Sequence, residues 1–269
     1  MKVCVSAIQM VSGGDVRANL KRAQLLLEEA ALAGAQLAVL PENFALFAPA
    51  AELRSRAEVE QKQGELHQFI AEQARRLGVW LVGGTLPWPA DDGRCYAESP
   101  VYSSDGERVA QYRKIHLFDA DIGDAQQSYR ESLSYAPGHA PVVFDSPWGR
   151  VGVAVCYDLR FPELFRAMLD QGVEIVALPA AFTRRTGLAH WLPLLRARAI
   201  ENQIAVVAAN QGGVHSRRRE TSGGSCVIDS WGTVLRELGF GEGQACATVD
   251  MAAQQRLRER MPVARHRRF

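Results

Sequence analysis

The chain has little lysine, no long apolar run and almost no net charge. Its 269 residues carry 31 lysines and arginines, of which only four are lysines, against 30 acidic residues, so the formal net charge is +1. A nearly neutral chain lacks the field that draws in nucleic acid. No apolar run approaches the roughly 20 residues that a membrane helix needs. The basic runs at 217–219 and 265–268 contain no interleaved Phe, Tyr or Trp, so we expect neither nucleic-acid nor membrane partners.

Cysteine pairs with the spacing of a metal or redox motif are also missing. The five cysteines include no C-x-x-C pair, so neither zinc nor thioredoxin-type chemistry has support. The six histidines show no spacing such as H-E-x-x-H, so we expect no metal site. An odd number of cysteines, together with the lack of a signal-peptide pattern at the first residues, leads us to expect a reducing cytoplasm.

Cys156 stands out because it closes an apolar, β-branched run. Residues 151–155 predict a strand, and Pro162 begins an amphipathic stretch that predicts a helix to Gln171. A thiol at a strand-to-helix turn lies close to backbone N–H groups and to a helix N-terminus, and both favour the nucleophilic thiolate. A buried structural cysteine is the alternative that this turn alone leaves open.

Two segments of the chain echo one another. Residues 38–44 (AVLPENF) and 176–182 (VALPAAF) each predict a strand that ends in Leu-Pro, with Phe three residues after the proline. We interpret them as parts of two related halves whose sheets stack face to face with helices outside, the alternative being a chance likeness. No linker divides the chain, so we expect one domain over residues 1–269, with 261–269 as an extended C-terminal arm. The predicted helices cover residues 15–33, 65–77, 162–171, 189–202 and 251–260, and 116–138 is predicted to be a long polar loop.

Three chemical groups fall near the carboxyl edge of these predicted sheets. Glu42 follows the first Leu-Pro strand, Lys114 follows a predicted hairpin, and Cys156 ends a later strand. Open α/β folds place ligands at this edge. A nucleophile, a carboxylate base and a fixed cation are what acyl transfer from nitrogen requires. Each residue alone is more typical of a solvated loop charge or a structural thiol, so the inference depends on the three together.

Three motifs match a known family in order and context. Residues 40–43 (LPEN), 112–118 (YRKIHLF) and 155–163 (VCYDLRFPE) resemble the nitrilase, or carbon–nitrogen hydrolase, superfamily, and the likeness extends over essentially the whole chain. The resemblance implies an α/β fold, namely a four-layer α-β-β-α sandwich of two stacked mixed sheets with helices outside. It also implies a Glu-Lys-Cys triad without a cofactor, and it places a further family glutamate at Glu131.

The resemblance implies a thioester mechanism for this chain. Glu42 takes the proton of Cys156 as the sulfur attacks the carbonyl carbon, and Lys114 and the backbone N–H of Tyr157 hold the oxyanion. Glu42 then protonates the departing ammonia, and the same carboxylate activates the water that hydrolyses the thioester. Glu131 orients Lys114 and keeps it charged, the alternative being a solvated loop carboxylate.

Substrate recognition is expected from the loop after the second echo strand. Phe182, Thr183 and Arg184 offer an aromatic face, a hydroxyl and a guanidinium that suit a carboxylate at the far end of the substrate. A solvent-facing arginine pair, Arg184 and Arg185, is the alternative.

The motif CYDLRF at 156–161 and the ending at 257–269 resemble the amidase branch, which includes the deaminated glutathione amidases and ω-amidases. We therefore expect hydrolysis of the terminal amide of a small, carboxylate-bearing, deaminated glutathione-like substrate to an acid and ammonia. Action on α-ketoglutaramate is the first alternative. A noncatalytic relative that binds metabolites or partners, and a redox-sensing thiol protein, are alternatives of other classes. Leu192-Pro193 and Gly224 depart from residues that are common in the branch.

A homodimer is expected from the helix after Cys156 and from the C-terminal arm. That helix carries more apolar side chains than one sheet contact needs, and relatives commonly pair through these regions. The side chains are Phe161, Leu164, Phe165, Met168 and Leu169. A monomer whose tail packs on its own body is the alternative.

Overall fold

Strands and helices alternate along the chain and form two sheets covered by helices. The computed structural model describes residues 1–268, which contain fifteen strands and seven α-helices. The strands are β1 Lys2–Gln9, β2 Leu37–Val39, β3 Trp80–Val82, β4 Leu86–Pro89, β5 Cys95–Tyr102, β6 Arg108–Arg113, β7 Asp119–Asp121, β8 Ser128–Arg130, β9 Val142–Ser146, β10 Gly149–Val153, β11 Ile175–Ala180, β12 Ala205–Asn210, β13 Cys226–Ile228, β14 Val234–Glu237 and β15 Gly243–Asp250. The helices are α1 Val16–Leu32, α2 Ala50–Gln63, α3 Glu65–Leu77, α4 Pro162–Asp170, α5 Arg184–Asn202, α6 Met251–Arg260 and α7 Val263–His266.

Both large sheets mix parallel and antiparallel neighbours. The first has the order β15-β1-β2-β3-β5-β4, with β6 also paired to β5, and the second has the order β14-β13-β12-β11-β10-β9. The parallel pairs lie at the centre of each sheet, between β1, β2 and β3 in the first and between β10, β11 and β12 in the second. β7 and β8 form a separate two-stranded ribbon.

The side-chain alternation of β1 separates the layers of the molecule. Val5 belongs to the core between the two sheets, where it shares a cluster with Val207 of β12. Ile8 belongs to a second core with Leu26 of α1 and Ile70 of α3. Because successive strand residues point to opposite faces, β1 contributes side chains both to the core between the sheets and to the core under the helices. This arrangement confirms the predicted four-layer sandwich of two stacked mixed sheets with helices outside.

Local capping explains several boundaries and one misplaced helix start. Asp15 accepts a hydrogen bond from the Ala18 N–H and begins α1, as predicted. The helix predicted from residue 189 begins at Arg184, because the Thr183 side chain accepts from the Thr186 N–H. α2 was not predicted at all, since its sequence is polar and offers few apolar positions to define a face. The predicted polar loop contains β7, β8 and a short 3₁₀ turn.

The C-terminal segment differs from the extended arm that the sequence predicted. Residues 263–266 form one helical turn, because the Pro262 carbonyl accepts from the N–H groups of Arg265 and His266. The segment packs on its own chain, where Arg267 Nη1 lies 2.6 Å from Asp170 Oδ1 of α4. Phe269 lies outside the described residues. The assignment of 1–269 to one domain stays a prediction.

The apolar side chains of α4 are used inside the chain itself. Leu164, Phe165 and Met168 are at most 5% exposed and belong to the main core. The expectation that they form a surplus surface for a partner is therefore wrong for these three residues. In the part of the chain that the structure describes, no helix is both long enough and apolar enough to cross a membrane.

Candidate active site

Glu42 lies just beyond the end of β2 and is fixed by its neighbours. Its carbonyl oxygen accepts a hydrogen bond from Gln211 Nε2 at 3.0 Å. Asn43 has a φ of 57° and donates its backbone N–H to Thr85 Oγ1 at 2.8 Å. The left-handed residue turns the chain sharply after the strand. The result is a glutamate only 4% exposed whose backbone is held on both sides.

Lys114 follows β6 and is buried to 2% exposure. Its backbone N–H donates to the Ala97 carbonyl at 3.0 Å, and its own carbonyl accepts from the Gly138 N–H at 2.8 Å. A side chain at Gly138 would collide with the Arg113 carbonyl, so this close approach requires glycine. Lys114 Nζ donates to Glu42 Oε1 at 2.8 Å. It also donates to both carboxylate oxygens of Glu131, at 2.7 and 2.8 Å.

Glu131 begins the 3₁₀ turn Glu131–Leu133, and its Oε2 also accepts from the Phe118 N–H at 2.6 Å. Burial raises the pKa of Glu131, while the Lys114 charge opposes that shift. Burial also acts to lower the pKa of Lys114, but the charges of Glu131 and Glu42 outweigh it and hold that pKa well above its usual value. Lys114 therefore stays protonated between the two carboxylates.

Cys156, three residues beyond the end of β10, adopts an unusual backbone conformation. Its φ is 50°, in the left-handed region that costs a non-glycine residue about 1–2 kcal/mol. Burial raises its pKa well above the ordinary thiol value, the Glu42 charge adds to that shift, and Lys114 opposes it. The expectation that the turn itself favours the thiolate is therefore wrong for the resting protein. The group is a thiol that needs a base.

Asp158 joins the turn at Cys156 to the segment that carries Lys114. Its Oδ2 accepts from the Val155 N–H at 2.8 Å and from the Tyr112 hydroxyl at 2.7 Å. Its Oδ1 accepts from the His116 N–H at 3.0 Å. Because one buried carboxylate holds both segments, the thiol and the ammonium group cannot shift independently.

One cavity of about 420 Å³ collects most of the predicted site residues. Its lining includes Glu42, Lys114, Glu131, Cys156, Tyr157, Phe182 and Thr183. This volume lies within the range of small-molecule sites. No group of three or more His, Cys, Asp or Glu residues that could hold a metal occurs among the residues that the structure describes.

The structure does not bring Arg184 to this cavity with its two predicted neighbours. Arg184 is the first residue of α5, and its Nη1 lies 3.2 Å from Glu220 Oε1. Its guanidinium also lies 4.9 Å from the centre of the Phe240 ring, and its side chain is 45% exposed. Arg184 is therefore already paired at the surface, and Phe182 and Thr183 reach the cavity without it.

Several cavity residues were not singled out from the sequence. They are Phe47, Tyr129, Tyr135, His215 and Arg219. Arg219 belongs to the basic run at 217–219, whose sequence is typical of exposed surface charges. Only the fold shows that Arg219 lines the cavity whereas Arg217 and Arg218 are exposed. For Tyr129 the available signal was its position two residues before Glu131 on a predicted polar loop.

Comparisons with known proteins agree with this geometry. The family model described as carbon-nitrogen hydrolase matches residues 4–259. A deaminated glutathione amidase from Yersinia enterocolitica is 42% identical over 267 residues, covering 98% of this chain and 93% of that protein. The omega-amidase NIT2-B from Xenopus laevis is 35% identical over 267 residues, covering 99% and 95%.

A solved structure also matches throughout. It is Nit3 from Saccharomyces cerevisiae, described as a member of branch 10 of the nitrilase superfamily. Nit3 is 31% identical to this chain and superposes with a TM-score of 0.89 over 100% of this chain and 97% of its own.

Proposed function

The chain belongs to the carbon–nitrogen hydrolase family and is an amide-hydrolysing enzyme, and from this premise we propose that Cys156 is its nucleophile. The observation that carries the proposal is the position of Lys114 Nζ, within 2.8 Å of both Glu42 and Glu131 beside a cavity that Cys156 also lines. A nucleophile, a carboxylate and a buried cation around one space suit acyl transfer from nitrogen.

Acylation uses the buried thiol and its neighbours. Glu42 takes the Sγ proton of Cys156 as the sulfur bonds to the amide carbonyl carbon, and the C=O electron pair moves to oxygen. Lys114 and the backbone N–H of Tyr157 stabilise this oxyanion, and one such donor contributes about 3 kcal/mol to lowering the barrier. When the oxyanion collapses, the C–N bond breaks and Glu42 returns the proton to the departing nitrogen. A thioester on Cys156 remains.

Deacylation uses the same carboxylate a second time. Glu42 takes a proton from a water molecule as the water oxygen attacks the thioester carbonyl, and the C–S bond then breaks. The acid product leaves, and the sulfur regains its proton. Glu131 acts as a positioning residue, because both of its oxygens accept from Lys114 while the Phe118 N–H holds the Glu131 carboxylate in place.

The proposed substrate is a small amide that also bears a carboxylate, as the names of the two curated relatives suggest. A deaminated glutathione-like amide is the first candidate and α-ketoglutaramate the second. The experiment is a panel of both amides, a neutral amide and a simple nitrile, read by acid product and released ammonia. Intact-mass spectra with a slow substrate should show an acyl adduct on the peptide that contains Cys156. Turnover without such an adduct, and undiminished in Cys156→Ala, would contradict the covalent route.

A homodimer and a reducing cytoplasm complete the proposal. Apolar surface at the end of α5 supports a dimer, because Ile200 is 44% and Trp231 66% exposed and Gly232, next to Trp231, adjoins Ile200. All five cysteines are free, which suits a reducing compartment. Light scattering of the wild type and of a Trp231→Lys variant tests the dimer, and a monomeric wild type with full activity would contradict it.

A further inference from the structure

The cavity contains a cation that no group in the described chain neutralises. Arg219 lines the cavity from the loop between β12 and β13, whereas its neighbours Arg217 and Arg218 are exposed. The loop is held in place, since Thr221 forms a bridge with Thr183 and the Arg219 carbonyl accepts from the His215 N–H at 2.9 Å. One arginine of the basic run is thus turned inward by the fold.

The guanidinium of Arg219 is fixed by aromatic rings. Its central carbon lies 5.5 Å from the ring centre of Phe47 and 4.8 Å from that of Tyr129, distances typical of cation–π contacts. Nη2 donates to the Ala181 carbonyl at 3.1 Å. These contacts orient the planar group but leave Nη1 without a hydrogen-bond partner.

One nitrogen of the Arg219 guanidinium is unpaired. Nη1 of Arg219 is buried and forms no hydrogen bond, and the described residues place no carboxylate within 4.0 Å of this guanidinium. Leaving a buried charged donor unpaired destabilises the protein, because the donor has lost its water and gained no other acceptor. A carboxylate that accepts from an arginine edge in two parallel hydrogen bonds relieves this cost.

The surroundings of Arg219 do not supply the missing negative charge. His215 stacks on Phe47 with ring centres 4.1 Å apart. Burial lowers the pKa of His215 to about 4, with the Arg219 charge contributing, so it is neutral at physiological pH. Glu220 is paired with Arg184, and Asp124 accepts from the Tyr129 hydroxyl. The charge of Lys114, by contrast, is matched by two glutamates within the cavity.

We propose that Arg219 is the specificity-determining residue that binds the second carboxylate of the substrate, the one remote from the amide that is hydrolysed. The inference rests on the proposed function and replaces Arg184 in the expected carboxylate role. The anion is held between Arg219 and the walls formed by Phe47 and Tyr129.

The test compares an anionic and a neutral amide. Glutaramate carries a carboxylate at the far end from its amide, and pentanamide carries a methyl group there. We expect Arg219→Gln to lower kcat/KM for glutaramate about 100-fold and for pentanamide by less than about threefold. Arg219→Lys keeps the charge without the planar fork, and it should retain part of the preference for glutaramate. Arg217→Gln, an exposed neighbour in the same loop, is the matched control and should change neither value.

Binding measured without turnover separates this inference from the proposed function. Glutaramate is titrated into Cys156→Ala and into the double variant Cys156→Ala, Arg219→Gln, with melting temperatures recorded for both. Loss of binding only in the double variant supports Arg219 even if the wild type hydrolyses no amide, which would refute the proposed function alone. Equal losses for glutaramate and pentanamide, unchanged selectivity, or no glutaramate binding to Cys156→Ala would each overturn the role of Arg219.

Discussion

The two faces of β6 lead to two buried charge clusters that have similar composition and different surroundings. Lys114, just past the strand, points to one side and lies between Glu42 and Glu131. Arg113 points to the other side, where its Nε lies 3.2 Å from Glu98 Oε2. Because successive residues of an extended strand alternate in direction, adjacent basic residues serve different clusters.

The second cluster also places one cation between two glutamates. His67 Nδ1 lies 2.8 Å from Glu60 Oε1, and its Nε2 lies 3.4 Å from Glu98 Oε1. Both carboxylates are fully buried. Glu60 also accepts from the N–H groups of Leu66 and His67, which fixes the start of α3. Burial lowers the pKa of His67, but Glu60 and Glu98 outweigh it and raise that pKa to about 8.

The difference between the clusters shows what a charge constellation needs before it can act. The His67 cluster is closed in among α2, α3 and β5 and lines no part of the 420 Å³ cavity, whereas the Lys114 cluster borders that cavity and the Cys156 thiol. A buried cation between carboxylates therefore need not have any role beyond stabilising the fold. It becomes a candidate active site when a nucleophile and space for a substrate lie beside it.

Removing the Cys156 thiol, which borders only the Lys114 cluster, should have the largest effect on activity. We expect Cys156→Ala to lower turnover by about 10⁴-fold or more, because no covalent intermediate can form. The protein should stay folded, since alanine keeps the β-carbon and removes only the sulfur. Ammonia release and a thermal melt are the measurements. Cys4→Ala, outside the cavity, is the control and should keep normal turnover.

Replacing Lys114 and Arg113 in separate variants, each by the other basic residue type, should give the next largest difference between the two clusters. We expect Lys114→Arg to lower kcat about 100-fold, because a wide planar guanidinium cannot replace a compact ammonium held by two glutamates. Arg113→Lys is the matched control on the opposite face and should leave kcat within about threefold. Similar losses in both variants would mean that the strand as a whole, and not the position of the ammonium group, limits catalysis.

Glu98→Gln tests whether the second cluster acts only on stability. It removes the charge that faces His67 and Arg113 in a buried site, and we expect a loss of about 2–3 kcal/mol in the free energy of unfolding. Turnover per folded molecule should not change. Urea unfolding and active-site titration measure the two quantities, and a fall in kcat at full folding would couple the clusters across the strand.

The smallest effect is a pH dependence from His67. Its folded pKa of about 8 lies above the ordinary value of 6.5, so its stabilising contribution is fully present below pH 6.5 and is lost as the pH rises through 8. The expected loss is about 1–2 kcal/mol. Unfolding free energies of the wild type and of His67→Gln, measured at pH 6 and pH 9, should differ most at pH 6. A difference that grows towards pH 9 would contradict the charged histidine.

The sequence predicted which residues of the candidate site come together where local pattern and chain order were enough. Glu42 follows a strand of one sheet and Cys156 follows a strand of the other, and both residues line the same cavity, so their placement follows from the local pattern. Glu131 was reached only through family resemblance, because its partner Lys114 lies 17 residues away across an irregular segment.

Features that depend on tertiary contacts were missed. α2 has little helical periodicity, and its place depends on a few contacts such as Leu53 and Ala57 in a small apolar cluster. The second charge cluster combines residues from three separate elements, namely Glu60, His67 and Glu98. Their spacing in the sequence does not indicate that they lie together. Arg219 differs from Arg217 and Arg218 only in the direction that a bridged loop gives it.

The pairing of the first strand with the last has a consequence for biosynthesis. β1 is in register with β15 along its whole length, from Lys2 opposite Asp250 to Gln9 opposite Gly243. At a ribosomal rate of about 5–20 residues per second, β1 waits roughly 10–50 s for this neighbour. During that time the nascent chain presents an unpaired strand edge, which favours association with other chains. The protein is thus expected to depend on chaperones during translation more than after release.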